Sequence, residues 1–152
     1  MSDFAKKQAE RIRGMERQQA EANERANTES IASAEREALT RKLGPELWTV
    51  FRDLIASKCQ DVNKELGKEY YRVHDEMPNK LHVIRLNPVA NLHLEFFPEA
   101  NRIHYDSGPC VGDYLVGLRE SNGQAVLADA YHHTFNSEVE AERMLVECLA
   151  KA

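Results

Sequence analysis

The stretch Leu92-His93-Leu94-Glu95-Phe96-Phe97-Pro98-Glu99-Ala100-Asn101-Arg102-Ile103-His104-Tyr105-Asp106 decides the fold. Apolar and polar residues alternate on both sides of a Pro-Glu-Ala-Asn break, the period of two that half-buried strands show. With residues 98–101 as a hairpin loop, Phe96 faces Ile103 and Leu94 faces Tyr105 on one side of the sheet. The other side then pairs Glu95 with His104 and His93 with Asp106. A slip by one residue would turn the apolar set outward, so burial specifies this register.

The alternation continues in both directions. Strands are expected over residues 69–75, 81–87, 92–97, 102–107, 113–120 and 124–131. Turn residues separate them at Met77-Pro78-Asn79, Asn87-Pro88, Gly108-Pro109 and Asn122-Gly123. The last is a two-residue hairpin signal, because both central residues of a type I′ turn need positive φ. Connections this short favour antiparallel neighbours. Carrying the pairing back across a turn at Asn87–Asn91 sets Ile84 against Leu94 and Leu86 against Leu92, with Arg85 beside His93. In the final hairpin Gly117 falls opposite Ala128 and Leu115 opposite Ala130. That small-residue face gives the terminal helix room to approach. The other face carries Tyr114, Val116, Leu118, Leu127 and Tyr131. A hairpin apolar on both faces asks for cover from more than one helical layer.

Helices flank the strands. Pro45 suits a first helical turn, and Leu47, Phe51, Leu54, Ile55, Cys59, Val62 and Leu66 recur every three or four residues. A helix is therefore expected over residues 45–66, closed by Gly67 and with Trp48 beside its apolar stripe. Ser137-Glu138-Val139-Glu140 has the spacing of a capping box and opens a terminal helix through Met144, Leu145, Cys148 and Leu149. Residues 1–43 are different: six large apolar side chains, one glycine, no proline, and many Ala, Glu, Arg and Gln residues that favour helix. Neither a seven-residue seam through Ile12 and Met15 nor an eleven-residue spacing through Ala9, Ala20 and Ile31 gives a continuous apolar face.

The expected fold is α+β: two N-terminal helices, an antiparallel five- or six-stranded meander, and a C-terminal helix packed on one face of the sheet. Residues 1–43 read as a charged helical arm, partly exposed or disordered, and residues 44–152 as a single α+β domain. At 152 residues with 42% apolar and 30% charged side chains, the chain can build one core beside such an arm. Twenty basic against twenty-five acidic residues give a net charge of −5, which disfavours nucleic acid as a partner. No apolar run approaches a membrane span, and the opening Met1-Ser2-Asp3-Phe4-Ala5-Lys6-Lys7 has no signal-like segment. Cys59, Cys110 and Cys148 are odd in number and far apart, the pattern of reduced thiols, so a cytoplasmic location is expected.

The polar side of the meander carries the candidate chemistry. Arg85, His93, Glu95, Arg102, His104 and Asp106 form a potential ligand-binding patch. Within it, His93, Glu95, His104 and Asp106 are donors that a divalent metal could use, and their His–carboxylate pairs could move protons. Arg85 and Arg102 oppose a cation. His74 and His82 are expected near a turn, reaching solvent, and His132 and His133 point to opposite faces. For Cys110 the sequence names no neighbouring base or helix N-terminus of the kind a catalytic thiol needs. No phosphate-binding loop, nucleophile elbow or zinc-protease motif occurs, and any cofactor is left unknown by the sequence. The expected function is a non-catalytic protein-interaction or adaptor module that self-associates or meets a protein partner. The alternative is a small-ligand or divalent-metal-binding protein, with or without enzyme activity, that uses the polar sheet face.

Overall fold

The structure is a computed structural model and describes residues 3–119 and 121–149. One helix, α1 (Asp3–Leu66), precedes seven strands: β1 (Tyr71–His74), β2 (Lys80–Leu86), β3 (Val89–Phe97), β4 (Arg102–Asp106), β5 (Val111–Leu118), β6 (Ala125–Ala128) and β7 (Thr134–Phe135). Helix α2 (Ser137–Arg143) follows and runs into a π-helical turn over Met144–Leu149. The strands pair in sequence order, each antiparallel to the next. The chain is thus α+β, with a long helix before an antiparallel sheet and a short one after it. Among the described residues no helix is long and apolar enough to cross a membrane.

The chain divides into two compact units, Met1–Ala38 and Leu39–Ala152. In the described part of the first, Ala9 and Gly14 are half-buried and all other residues are exposed. Its order is local: Gln19 Nε2 donates to Asn23 Oδ1 at 3.2 Å, and Thr28 Oγ1 donates to the Glu24 carbonyl at 2.9 Å.

In the second unit, Gly44-Pro45 was expected to separate two helices, but α1 passes through it. Gly44 is buried, and a Cβ on it would collide with Asn101 Oδ1 in the β3–β4 turn. The glycine therefore serves a close approach and does not stop the helix. Pro45 removes one intrahelical hydrogen bond, a defect of about 3 kcal/mol. Opposing it, Leu47, Trp48, Phe51, Ile55 and Cys59 are each 7% exposed or less, and burying one large apolar side chain is worth about 1.5–3 kcal/mol. Trp48 is a core anchor: it stacks on Phe96 at 6.0 Å and donates Nε1 to the Pro78 carbonyl at 2.8 Å. Gly67, at φ 68°, ends the helix as its sequence position suggests. Asn63 Oδ1 then accepts from the Tyr70 and Tyr71 amides at 2.8 and 2.9 Å, which aims the chain into β1.

One face of the sheet packs Leu81, Val83, Leu92, Leu94, Phe96 and Ile103 against the buried side of α1 and the terminal helix. The β3–β4 register is the expected one, with Phe96 opposite Ile103 and Glu95 opposite His104. The β2–β3 register is not. Leu81 faces Leu94 and Val83 faces Leu92, three residues from the expected alignment, because Leu86 and Val89 pair directly across a tight Asn87-Pro88 turn. An odd slip exchanges the two faces of β2. In the last hairpin Leu115 faces Ala128 and Gly117 faces Val126, an even slip that keeps the faces. Its turn is longer than the expected two residues: Arg119 N donates to the Gln124 carbonyl, and Gly123 N donates to the Arg119 carbonyl, both at 2.8 Å.

The terminal helix lies on the large-residue face of that hairpin, not on the small one. Tyr114 Oη donates to Glu140 Oε2 while accepting from Arg143 Nη2 at 2.9 Å, and Arg143 Nε donates to Glu140 at 2.7 Å. Burial and the Glu140 contact push the Tyr114 pKa well above its ordinary value. On the opposite face Gly117 lies close to Ala128, whose Cβ would be 2.9 Å from a Cβ built there. The helix cap sits one residue before the expected box: Asn136 Oδ1 accepts from the Glu138 and Val139 amides at 3.0 and 3.1 Å. Glu140 is thereby free of cap duty and enters the interior.

Candidate functional site

The outer face of the sheet holds two rows of polar side chains that run across the strands. In one row, His74 is opposite His82, His82 opposite His93, and His93 opposite Asp106. The His82 and His93 rings stack with centroids 4.1 Å apart and planes at 18°, and the His74 ring lies 5.8 Å from that of His82. His82 Nε2 is 2.8 Å from Asn91 Oδ1; an amide oxygen only accepts, so this contact needs the proton on Nε2. Burial and then the neighbouring His82 hold the His93 pKa below its ordinary value, with Asp106 pulling the other way.

The second row runs Lys80, Glu95, His104, Asp113. Lys80 Nζ is 3.4 Å from Glu95, and His104 Nδ1 is 2.9 Å from Asp113 Oδ1. Arg102 lies 4.0 Å from Asp113 and places its guanidinium 5.0 Å from the centre of the Phe97 ring. The His104 and Asp113 side chains are 39% and 40% exposed, so water screens the pair.

Of the six residues expected on this face, the structure brings His93, Glu95, Arg102, His104 and Asp106 together and removes Arg85. Arg85 is 6% exposed on the helix-facing side, donating Nε to the Pro88 carbonyl at 2.9 Å and Nη1 to the Leu149 carbonyl. The odd slip in β2 causes this: it turns Arg85 inward and brings His82 out beside His93. His82, His74 and Asp113 are therefore the members that sequence reasoning missed. The signal was present in the alternation of Leu81 and Val83, which compete with Ile84 and Leu86 for the inward face.

Two shallow hollows meet at His93. One, of about 290 Å³, is bounded by His74, Met77, Lys80, His82 and Glu95; the other, of about 360 Å³, is bounded by Asn91, Asp106, Ser107 and Pro109. Among the described residues no three His, Cys, Asp or Glu side chains converge as a metal ion requires.

The remaining candidates are committed elsewhere. Burial pushes the Cys59 thiol up to about 12, and burial with a hydrogen bond to Cys110 does the same for Cys148. Both stay protonated near neutral pH and are poor nucleophiles. His132 and His133 lie in a loop, not a strand. Asp129 Oδ1 accepts from the Tyr131 and His133 amides, each at 2.9 Å, and Asp129 Oδ2 lies 2.9 Å from His133 Nδ1. No known protein family, curated protein or solved structure matches the chain.

Proposed function

We propose that the protein is a non-catalytic interaction or adaptor module that self-associates, with the first part of α1 as its docking element. One observation carries this reading. From Asp3 to Ala38 the helix has no buried residue, yet it presents Phe4, Ile12, Met15 and Ile31 at 74%, 45%, 61% and 59% exposure. An isolated helix of this kind gains little from water, and most helical stability in proteins comes from packing one face against something. The chemistry of the sheet agrees with a non-catalytic role: its His–carboxylate pair is solvent-screened and the buried thiols stay protonated.

Sedimentation velocity of the full chain across a concentration series tests the reading. The expected result is a sedimentation coefficient that rises with concentration towards a dimer or larger assembly. A chain that stays monomeric into the high micromolar range would sink it.

A further inference from the structure

Ala9, Ala20 and Ile31 are spaced by eleven residues. Eleven residues make three turns of a nearly straight helix, so these side chains return to one line along α1. The stripe containing them runs from Ala5 to Ala38 in steps of four, three and four residues, repeated three times. The steps are the same from either end. Composition mirrors them: Ala5 corresponds to Ala38, Ala9 to Ala34, and Ile12 to Ile31. Nearer the middle, Glu16 corresponds to Asn27. Charge does the reverse. Residues 3–20 carry five basic and three acidic side chains, and residues 21–38 carry two basic and five acidic.

We infer that this arm pairs antiparallel with the arm of a second copy of the chain, about a twofold axis between Glu21 and Ala22. The inference rests on the self-association reading and adds an orientation and a register to it. Reversal sets Ile12 of one copy level with Ile31 of the other, twice in each pair of arms. Both isoleucines are exposed in the single chain. The alanines at both ends let the two backbones come close. Glu16 falls level with Asn27 of the second copy, where the amide can donate to the carboxylate. A polar layer of this kind fixes register at some loss of stability. The basic half lies along the acidic half, with Arg13 between Glu24 and Glu35 of the other copy, and the two helix dipoles oppose each other. Parallel pairing would instead set the net basic half beside its own copy and the net acidic half beside its own copy.

Cross-linking tests the orientation. Ala9→Cys and Ala34→Cys are made separately in the full chain, each with Cys110→Ser to remove the half-buried native thiol, and oxidised with copper phenanthroline. The expected result is a disulfide joining the two different chains in a mixture, and no linked dimer from either chain alone. A link from Ala9→Cys alone means parallel pairing, and a mixture that yields no product means the register is wrong; both overturn the inference. Ile12→Glu and Ile31→Glu should each weaken the dimer by at least about tenfold in sedimentation, and unchanged dimerisation would also overturn it. A monomer at every concentration removes the self-association reading itself, whereas a dimer linked at matching positions removes this inference alone.

Discussion

Between Leu47 and Cys59, helix α1 buries five side chains at 7% exposure or less; between Asp3 and Ala38 it buries none. The buried segment includes Trp48, Val50, Phe51 and Ile55, residues of only moderate helix propensity, and lies just after a proline. The exposed segment is built largely from Ala, Glu, Arg and Gln, residues of higher helix propensity. One stretch is held helical by the sheet that lies against it, and the other has, within a single chain, only the preference of its residues. Substitutions at the two places should therefore follow different rules.

The largest expected contrast is Phe51→Ala against Met15→Ala. Phe51 is fully buried with its ring 5.8 Å from that of Tyr114, so its truncation should cost about 3–5 kcal/mol in urea unfolding. Met15, 61% exposed, should change stability by about 0.5 kcal/mol or less. Comparable losses would erase the distinction. Glycine gives a sharper version within the same helix. A Cβ on Gly14 would meet nothing within 4 Å, whereas one on Gly44 would collide with the Asn101 side chain. Gly14→Ala should increase helical stability by up to about 1 kcal/mol, and Gly44→Ala should lose about 1–3 kcal/mol through overpacking. Thermal melts of the two variants read the opposite signs, and equal signs would break the account of Gly44.

The smallest effect depends on pH and belongs to the sheet, since residues 3–38 contain no histidine. The His93 pKa is lowered by burial and by His82, so the unfolded chain takes up a proton before the folded one does. Its contribution is intact above the ordinary imidazole value of about 6.5 and is lost as pH falls through the folded value. Melting temperature should therefore decline from pH 7 towards pH 5, less steeply in His93→Gln. An identical slope in the variant would remove His93 from this account.

The β3–β4 hairpin was legible in full, because its loop residues and its alternation agree on one register. β2 was not. Leu81-His82-Val83-Ile84-Arg85-Leu86 offers two apolar sets on opposite faces, and alternation alone does not choose between them. Arg85 lies on the inward face with a hydrogen bond to the carbonyl of Leu149, a partner outside any local window. The candidate site inherited that ambiguity: five of its expected members stayed together, and the histidine row came into view only with the correct face of β2. Gly44-Pro45 misled for a related reason, since the Asn101 contact that needs a glycine there arises only when the chain is folded.

Met144, Leu145, Cys148 and Leu149 are all buried in the same core as Phe51 and Leu92. A ribosome reads the chain in one direction, so a nascent protein possesses every strand before it possesses the turn that seals them. Until Leu149 has emerged, the inward side of the sheet stays partly wet and the Arg85 guanidinium lacks that carbonyl. Completion of this core thus waits on Leu149, and the sheet stays half-clothed until that residue arrives.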